Sequence, residues 1–496
     1  MWHGPGFEFI RVIYFTMNWI LIIEIIYAVI LGLVCLRIIY DTNSVVKTLA
    51  YLIIALVVPV AGILFYFSVG INYRKRKIYS KKIVRDGALR KQLESQILIR
   101  TNENLKKYSD RISYSDGLVK LLVQDSLSPL TNGNRIKILL NGEEKFPELL
   151  AALKEARHHI HIQYYIYEND TIGNTIKDLL IEKARQGIKV RFIYDDFGSS
   201  TVRGKLVNEL RSAGVEAYPF NRIYLLLLAN RLNYRNHRRI VIIDGQTAFT
   251  GGINVSDRYL NTEKQPRYWR DTHVRVDGPG CQYLQYLFLC DWNFSSGQQV
   301  EPNLNYFNTV HQDSDAFVQI AASGPDSPTA TIMLSYLKAI AIARESIMIT
   351  TPYFIPGDSI LDALRIAAMS GVSVSLLVPG TSDSWWVNMA ARSYYSDLLK
   401  AGVKIYLYRK GFVHAKTMVV DSHLSIIGTA NMDYRSFDLN FEVNAILYDE
   451  ACTTTLRKAF ETDVANSEKI ELQQWEKRKL YKQLSERIAR LLSPLM

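Results

Sequence analysis

The stretch Asn236-His237-Arg238-Arg239-Ile240-Val241-Ile242-Ile243-Asp244 returns 177 residues later as Val413-His414-Ala415-Lys416-Thr417-Met418-Val419-Val420-Asp421. Each copy places a cation two residues after a histidine and an aspartate seven after it, with an apolar run between. The likeness continues: Gly251 and Gly428 follow their histidines by fourteen residues, Asn254 and Asn431 by seventeen, Arg258 and Arg435 by twenty-one. One such pattern is weak evidence. Its repetition with three further matched positions marks a duplicated unit.

Ile240-Val241-Ile242-Ile243 and Thr417-Met418-Val419-Val420 are short apolar runs, rich in β-branched residues, of the kind that form buried strands. Side chains two apart on a strand share a face, so His237 and Arg239 point together, as do His414 and Lys416. Each motif then offers one imidazole beside one cation, which is what receiving a phosphate and attacking its phosphorus requires. Two motifs brought together supply a nucleophile and a general acid.

On these residues the chain resembles the phospholipase D superfamily, with its paired His-x-Lys-x4-Asp motifs, and most closely the bacterial cardiolipin synthases. The resemblance covers nearly the whole chain. Arg239 is a departure, since the family has Lys there.

Length and charge set the outer bounds. The chain has 496 residues, and 59 Lys and Arg against 48 Asp and Glu leave a formal charge of +11. A basic balance fits an anionic partner, either nucleic acid or an anionic lipid surface. Cys35, Cys281, Cys290 and Cys452 show no CxxC spacing, which points to reduced thiols rather than a zinc site or a disulfide framework.

Two apolar stretches, 12–36 and 49–71, each exceed the roughly 20 residues that cross a hydrocarbon core, so the sequence predicts an N-terminal transmembrane hairpin. Arg74-Lys75-Arg76-Lys77, followed by Lys81, Lys82 and Arg85, marks the cytoplasmic side by the positive-inside rule. The expected organisation is a hairpin with its basic flank over 1–77, a helical linker over 78–117, a first repeat over 118–310, a second over 311–465 and a basic amphipathic helix over 466–496. Within the repeats, Gly187-Ile188-Lys189-Val190 is echoed by Gly371-Val372-Ser373-Val374, and Ala213-Gly214-Val215 by Ala401-Gly402-Val403. Strands alternating with helices predict an α/β fold with mainly parallel sheets. The resemblance implies two fused phospholipase D-like repeats with both motifs at a shared seam.

His158, His159 and His161 lack a nearby acidic ligand and are read as structural rather than metal-binding. Asp195-Asp196 closes a strand, as a cation site or as a turn with Gly198 and Ser199. Trp385-Trp386 is read as core, with a lipid interface as the alternative. From Trp475 onward, cations alternate with Leu480, Tyr481, Leu484, Ile488, Leu491 and Leu492 at helical spacing. Such a helix either lies on anionic lipid or docks on the body with its charged face solvated.

The resemblance implies a phosphatidyl transfer between two phosphatidylglycerols at the bacterial cell membrane, with the catalytic part in the cytoplasm. His237 attacks phosphorus to give a phosphohistidine, and His414 protonates the departing glycerol. Arg239 and Lys416 counter the phosphate charge, and Asn254 and Asn431 hold its oxygens. Asp244 and Asp421 fix imidazole tautomers or buttress the cations, and Glu442 orients an imidazole. The chemistry calls for no metal or nucleotide, and anionic membrane lipids are the expected partners, with no nucleic acid. The alternatives are a membrane-bound phospholipase D hydrolase, a membrane-tethered phosphodiesterase or nuclease, and a non-catalytic lipid-binding relative.

Overall fold

The computed structural model describes residues 6–42, 45–58, 60–67, 97–99, 101–222, 234–263, 265–300 and 304–493. The chain divides into an N-terminal unit, Met1–Ile78, and a far larger unit that opens at Tyr79.

The N-terminal unit is built on the helix Gly6–Asp41, whose segment Trp19–Asp41 has 23 residues and a mean hydropathy of 2.7. That segment fits a membrane anchor. A turn after Asp41 leads into a second helix, Val45–Val57, and Tyr51 and Ala55 from it close a small buried cluster with Val34 and Ile38 from the first. The expected second span does not form one long helix. It ends at Val57 and resumes only over Ala61–Phe65, with Pro59, which has no amide to donate, in the sequence between. Among the described residues only the first helix has the length and apolarity to cross a bilayer. Residues 68–71 at the end of the expected span, and the cations at 74–77, 81, 82 and 85, lie outside the described residues.

The large unit carries strands β1 (Thr131–Leu140), β2 (His159–Tyr164), β3 (Lys189–Asp195), β4 (Glu216–Phe220), β5 (Ile240–Ile243), β6 (Thr247–Gly251), β7 (Tyr268–Arg270) and β8 (Thr272–Asp277) in its first half. The second half has β9 (Ala316–Ser323), β10 (Ser346–Thr350), β11 (Phe354–Ile355), β12 (Ser373–Pro379), β13 (Lys404–Tyr408), β14 (Gly411–Val413), β15 (Thr417–Val420), β16 (Leu424–Gly428), β17 (Met432–Asp433), β18 (Glu442–Tyr448) and β19 (Ser467–Lys469). One sheet of 15 strands runs β19-β13-β12-β10-β15-β16-β18-β9-β1-β8-β6-β5-β2-β3-β4. Read from its middle outward it is the same seven-strand order twice, with β19 added at the edge of the second half. The halves join where β1 meets β9 antiparallel, with Thr131 opposite Val318 and Asn134 opposite Ala316.

The expectation of mainly parallel sheets is overturned. Only β2–β3, β3–β4, β10–β12 and β12–β13 pair in parallel within this sheet. Its other ten ladders are antiparallel. The reason lies in the connections: β5 to β6 and β15 to β16 are joined by three residues, too few for the crossover that a parallel pair needs.

The alternation along β2 sorts its two faces. Ile160, Ile162 and Tyr164 enter the apolar core of the first half, with Leu149, Leu180 and Leu206 from the helices Asn141–Glu155, Thr171–Arg185 and Lys205–Ser212. His159, His161 and Gln163 face the helix Cys281–Ser296, where Gln285 sits within 3.1 Å of His159 Nε2 and Gln163 donates to Asp291 at 2.9 Å. The histidines therefore belong to a buried hydrogen-bonded ladder that also takes in Arg191, at 3.1 Å from His161. Leu118, Val119, Leu122 and Val123, expected to open the first repeat, pack instead into the core of the second half, and Leu105 and Tyr108 from the expected linker pack against that core too.

Candidate active site

His237 and His414 sit just before β5 and β15, and each is fixed by the opposite half. The His237 amide donates to the Phe441 carbonyl at 2.9 Å, and the His414 amide to the Arg270 carbonyl at 2.7 Å. The second contact continues a short parallel ribbon in which β14 pairs with β7. In both cases the next residue along is a carboxylate. Glu442 Oε1 lies 3.1 Å from His237 Nδ1, and Asp271 Oδ2 lies 2.7 Å from His414 Nδ1. A carboxylate on Nδ1 fixes the tautomer and ring plane and turns Nε2 toward the reacting centre.

Glu442 thus stands where the sequence placed it, whereas Asp271 was missed. It belongs to no motif and lies 143 residues from the imidazole it orients. A signal was present: Asp271 precedes β8 and Glu442 opens β18, which are the same strand in the two halves. Gly252 makes room for it, since a Cβ there would stand 2.0 Å from Asp271 Oδ1.

The two cations are held alike. Arg239 Nη1 donates to the His237 carbonyl at 2.8 Å, and Lys416 Nζ donates to the His414 carbonyl. The longer Arg239 head also donates through Nε to Asn254 Oδ1 at 2.8 Å, and Asn254 in turn donates to the Tyr259 hydroxyl at 2.9 Å. In the second half Asn431 Oδ1 is buried and, among the described residues, has no hydrogen-bond partner. Asn254 therefore braces the motif cation through its side-chain oxygen.

Asp244 and Asp421 do something other than expected. Neither orients an imidazole or buttresses a cation. Asp244 accepts from the amides of Arg157, His158 and His159 at 2.7 to 2.9 Å, and Asp421 from those of Arg344, Glu345 and Ser346 at 2.8 to 2.9 Å. Each carboxylate caps the start of the neighbouring strand, β2 or β10, from a turn residue in the left-handed region, with φ of 55° and 50°. The position suits Asp, whose short acceptor reaches the three amides directly.

Asp195 closes a turn rather than a cation site. Its Oδ1 accepts from the amides of Phe197 and Gly198, and its Oδ2 accepts from the amide of Asn236 at 3.1 Å, which ties the residue before His237. Asp196 pairs with Arg203 at 3.0 Å. The unremarked Arg238 forms a buried pair with Asp291 at 2.9 Å and donates to the Glu442 carbonyl at 3.3 Å, so it braces the backbone of the residue that orients His237.

The comparisons with known proteins agree with this seam. A family model described as "Cardiolipin synthase, PLD-like domain" matches residues 149–272 and 336–464, one match in each half. A cardiolipin synthase of Alkalihalophilus pseudofirmus is 40% identical over 97% of this chain and 95% of its own length. This chain belongs to the cardiolipin synthase family of phospholipase D-like proteins. Cardiolipin synthase 2 of Bacillus anthracis is 43% identical over 91% of this chain and 87% of its own, and the major cardiolipin synthase of Bacillus subtilis is 40% identical over 90% and 93%. The crystal structure of a phosphatidylserine synthase from Haemophilus influenzae shares the fold, with a TM-score of 0.54 and 13% identity over 73% of this chain and 95% of that one.

In this member of the cardiolipin synthase family the site is buried and crowded with positive charge. Burial, with the Lys416 charge beside it, holds the His414 imidazole down at about 4. Burial likewise lowers Lys416 to about 7, with Asp271 opposing and the Arg239 charge adding to the fall. Arg239 holds Asn254, Asn254 donates to the Tyr259 hydroxyl, and the Tyr259 ring lies 6.3 Å from that of His414, so the two motifs meet across Tyr259. Behind them lies Lys145, fully buried, its amine over the rings of Phe146 and Tyr164 at 4.1 and 4.9 Å and, among the described residues, without a hydrogen-bond partner. Burial and Arg239 hold it well below the ordinary lysine range. A site so biased favours an anion that restores the balance.

Proposed function

We propose that this cardiolipin synthase family member transfers a phosphatidyl group from one phosphatidylglycerol to the glycerol hydroxyl of another, releasing glycerol. The observation that carries the reading is the pair of imidazoles, each with its Nδ1 on a carboxylate from the opposite half, beside Arg239 and Lys416. The phosphodiester lies between them, its charge countered by both cations, with the unused Asn431 acceptor taking a hydroxyl of the headgroup. His237 Nε2 attacks phosphorus. The bond to the departing glycerol oxygen breaks, and that oxygen takes its proton from His414. Burial and the Lys416 charge disfavour a protonated His414, so the negative charge of the phosphodiester is what lets it load the proton. A second glycerol hydroxyl then gives its proton to His414, attacks phosphorus and displaces His237. One phosphodiester is exchanged for another, so no nucleotide is consumed.

The apolar N-terminal helix tethers the enzyme to its substrate membrane. The second helix completes a hairpin in this proposal, with the basic residues after it on the cytoplasmic side together with the catalytic unit.

Purified protein incubated with labelled phosphatidylglycerol should yield cardiolipin and glycerol in equal amounts, and acid-quenched samples should carry phosphatidyl label on His237. Phosphatidic acid as the main product would make the chain a hydrolase, and label on His414 would exchange the two roles.

A further inference from the structure

The C-terminal helix Leu480–Leu492 is docked the wrong way round for a soluble protein. Its contact side is polar and charged. Glu486 is buried and accepts from Arg478 at 2.6 and 3.0 Å and from Arg392 at 3.0 Å, Arg490 donates to Asp397 at 3.0 Å, and Ala489 is fully buried between them. Leu480, Tyr481, Leu484, Ile488 and Leu491 point the other way and are 48 to 80% exposed. At 3.6 residues per turn these five fall within an arc of about 100°, roughly opposite the docked side. An amphipathic helix normally buries that arc.

This helix packs against the helix Trp385–Arg392, which opens with Trp385 and Trp386, 64% and 50% exposed and in mutual contact at 4.8 Å. The Trp pair is thus not core, contrary to the expectation from sequence. The loop just before it is fastened to the catalytic seam: Asp383 accepts from the Tyr353 hydroxyl at 2.6 Å, and the Thr381 carbonyl accepts from Arg267. Tyr353 feels the charge of Asp433 and lies near Tyr259, whose ring is 6.3 Å from that of His414. Lys477 and Lys479, just before the helix, and Arg487, at the edge of the apolar arc, are exposed beside it.

We propose that these two helices form a second membrane contact, separate from the N-terminal anchor, by which the catalytic unit itself rests on an anionic bilayer. Exposed apolar residues flanked by cations complement acyl chains under anionic headgroups, and an exposed Trp pair suits the headgroup boundary. The contact holds the mouth of the seam at the depth of the phosphodiester, so that a lipid headgroup reaches the imidazoles without leaving the membrane.

The test uses the full chain with Cys35→Ser, reconstituted in phosphatidylglycerol vesicles that contain lipids brominated on their acyl chains. A bimane fluorophore is placed at Leu484→Cys, or as a control at Glu461→Cys on the exposed side of the helix Glu450–Ala465. The label at 484 should be quenched at least twofold, with blue-shifted emission, and the label at 461 should be unaffected. Because the label reports whether or not lipid is turned over, failure of this contact and failure of the transferase reading are separate results. Leu484→Asp with Ile488→Asp should lower turnover of bilayer phosphatidylglycerol about tenfold and spare a short-chain phosphatidylglycerol dissolved as monomers. A label at 484 as unquenched as that at 461 overturns the proposal, and so does energy transfer between labels on two copies without quenching by lipid, which would assign the face to a second copy of the chain.

Discussion

His414 Nδ1 lies 2.7 Å from Asp271 Oδ2, a carboxylate from the other half of the chain. Neither half therefore holds a complete set of groups, and the site exists only when β14 has found β7. The carboxylate keeps the ring oriented and its charge favours the imidazolium that forms during transfer. Asp271→Asn keeps an acceptor and loses the charge, so it should lower kcat by about 10- to 100-fold with little change in melting temperature. Without Asp271 the His414 imidazole should also titrate lower than in the parent, as followed by histidine NMR. Parent-level turnover in Asp271→Asn would remove the carboxylate from the mechanism.

The motif aspartates should behave in the opposite way. Asp421→Ala strips three amides of an acceptor held at 2.8 to 2.9 Å, a loss of about 2 kcal/mol or more in stability. The rate per folded molecule should fall far less than in Asp271→Asn. Denaturant titration alongside initial rates separates the two. A stable but inactive Asp421→Ala protein would return the residue to the chemistry.

Much of this was legible in the chain, for local reasons. Alternation on a strand sets His237 beside Arg239 and His414 beside Lys416, the repeat spacing leads to Asn254 and Asn431, and Glu442 came from the family resemblance. What escaped was long-range register. Asp271 acquires its role only through the crossing of β7 and β14, and a three-residue link after Ile243 or Val420 decides strand direction in a way that a count of strands and helices does not reveal. The amphipathic pattern of 480–492 was plain, yet which side would dock depended on Arg392 and Asp397, nearly a hundred residues away.

Lys145 offers a test of the charge balance. Unfolded, its amine is protonated up to about pH 10.5, whereas in the fold burial lowers it well below that range, so at every pH below the unfolded value the buried amine costs stability. Lys145→Met removes that penalty and should stabilise the protein at pH 7 by about 1–4 kcal/mol. The gain should shrink as the pH rises toward 10.5, above which the unfolded lysine is neutral as well. Denaturant midpoints of both proteins at pH 7 and 9.5 measure this, and a Lys145→Met protein that is weaker at pH 7 would mean that the lysine is charged and paired.

The two cations at the seam should answer to pH differently. Lys416 is lowered to about 7, so as pH rises through that value the free enzyme loses one of its two phosphate-binding charges, while Arg239 keeps its own. Since kcat/KM reports ionisations of the free enzyme, the parent profile should fall on the alkaline side from about pH 7. Lys416→Arg should flatten that limb. Arg239→Lys places a second buried amine beside the first and withdraws the Nε donor from Asn254, though its amine can reach the His237 carbonyl as Lys416 reaches that of His414. It should match the parent at pH 6 and fall about tenfold below it at pH 8.5, because a lysine so placed titrates low where an arginine does not. Arg239→Ala should be impaired at every pH by about 100-fold, the loss expected when one fixed charge is taken from a phosphoryl-transfer site. The measurement is kcat/KM for the four proteins from pH 6 to 8.5 on one lipid preparation. A parent profile that stays level through pH 8.5 would show that Lys416 is not held near its titration point in the working enzyme, and an Arg239→Lys profile that overlays the parent's would show the same of a lysine at 239.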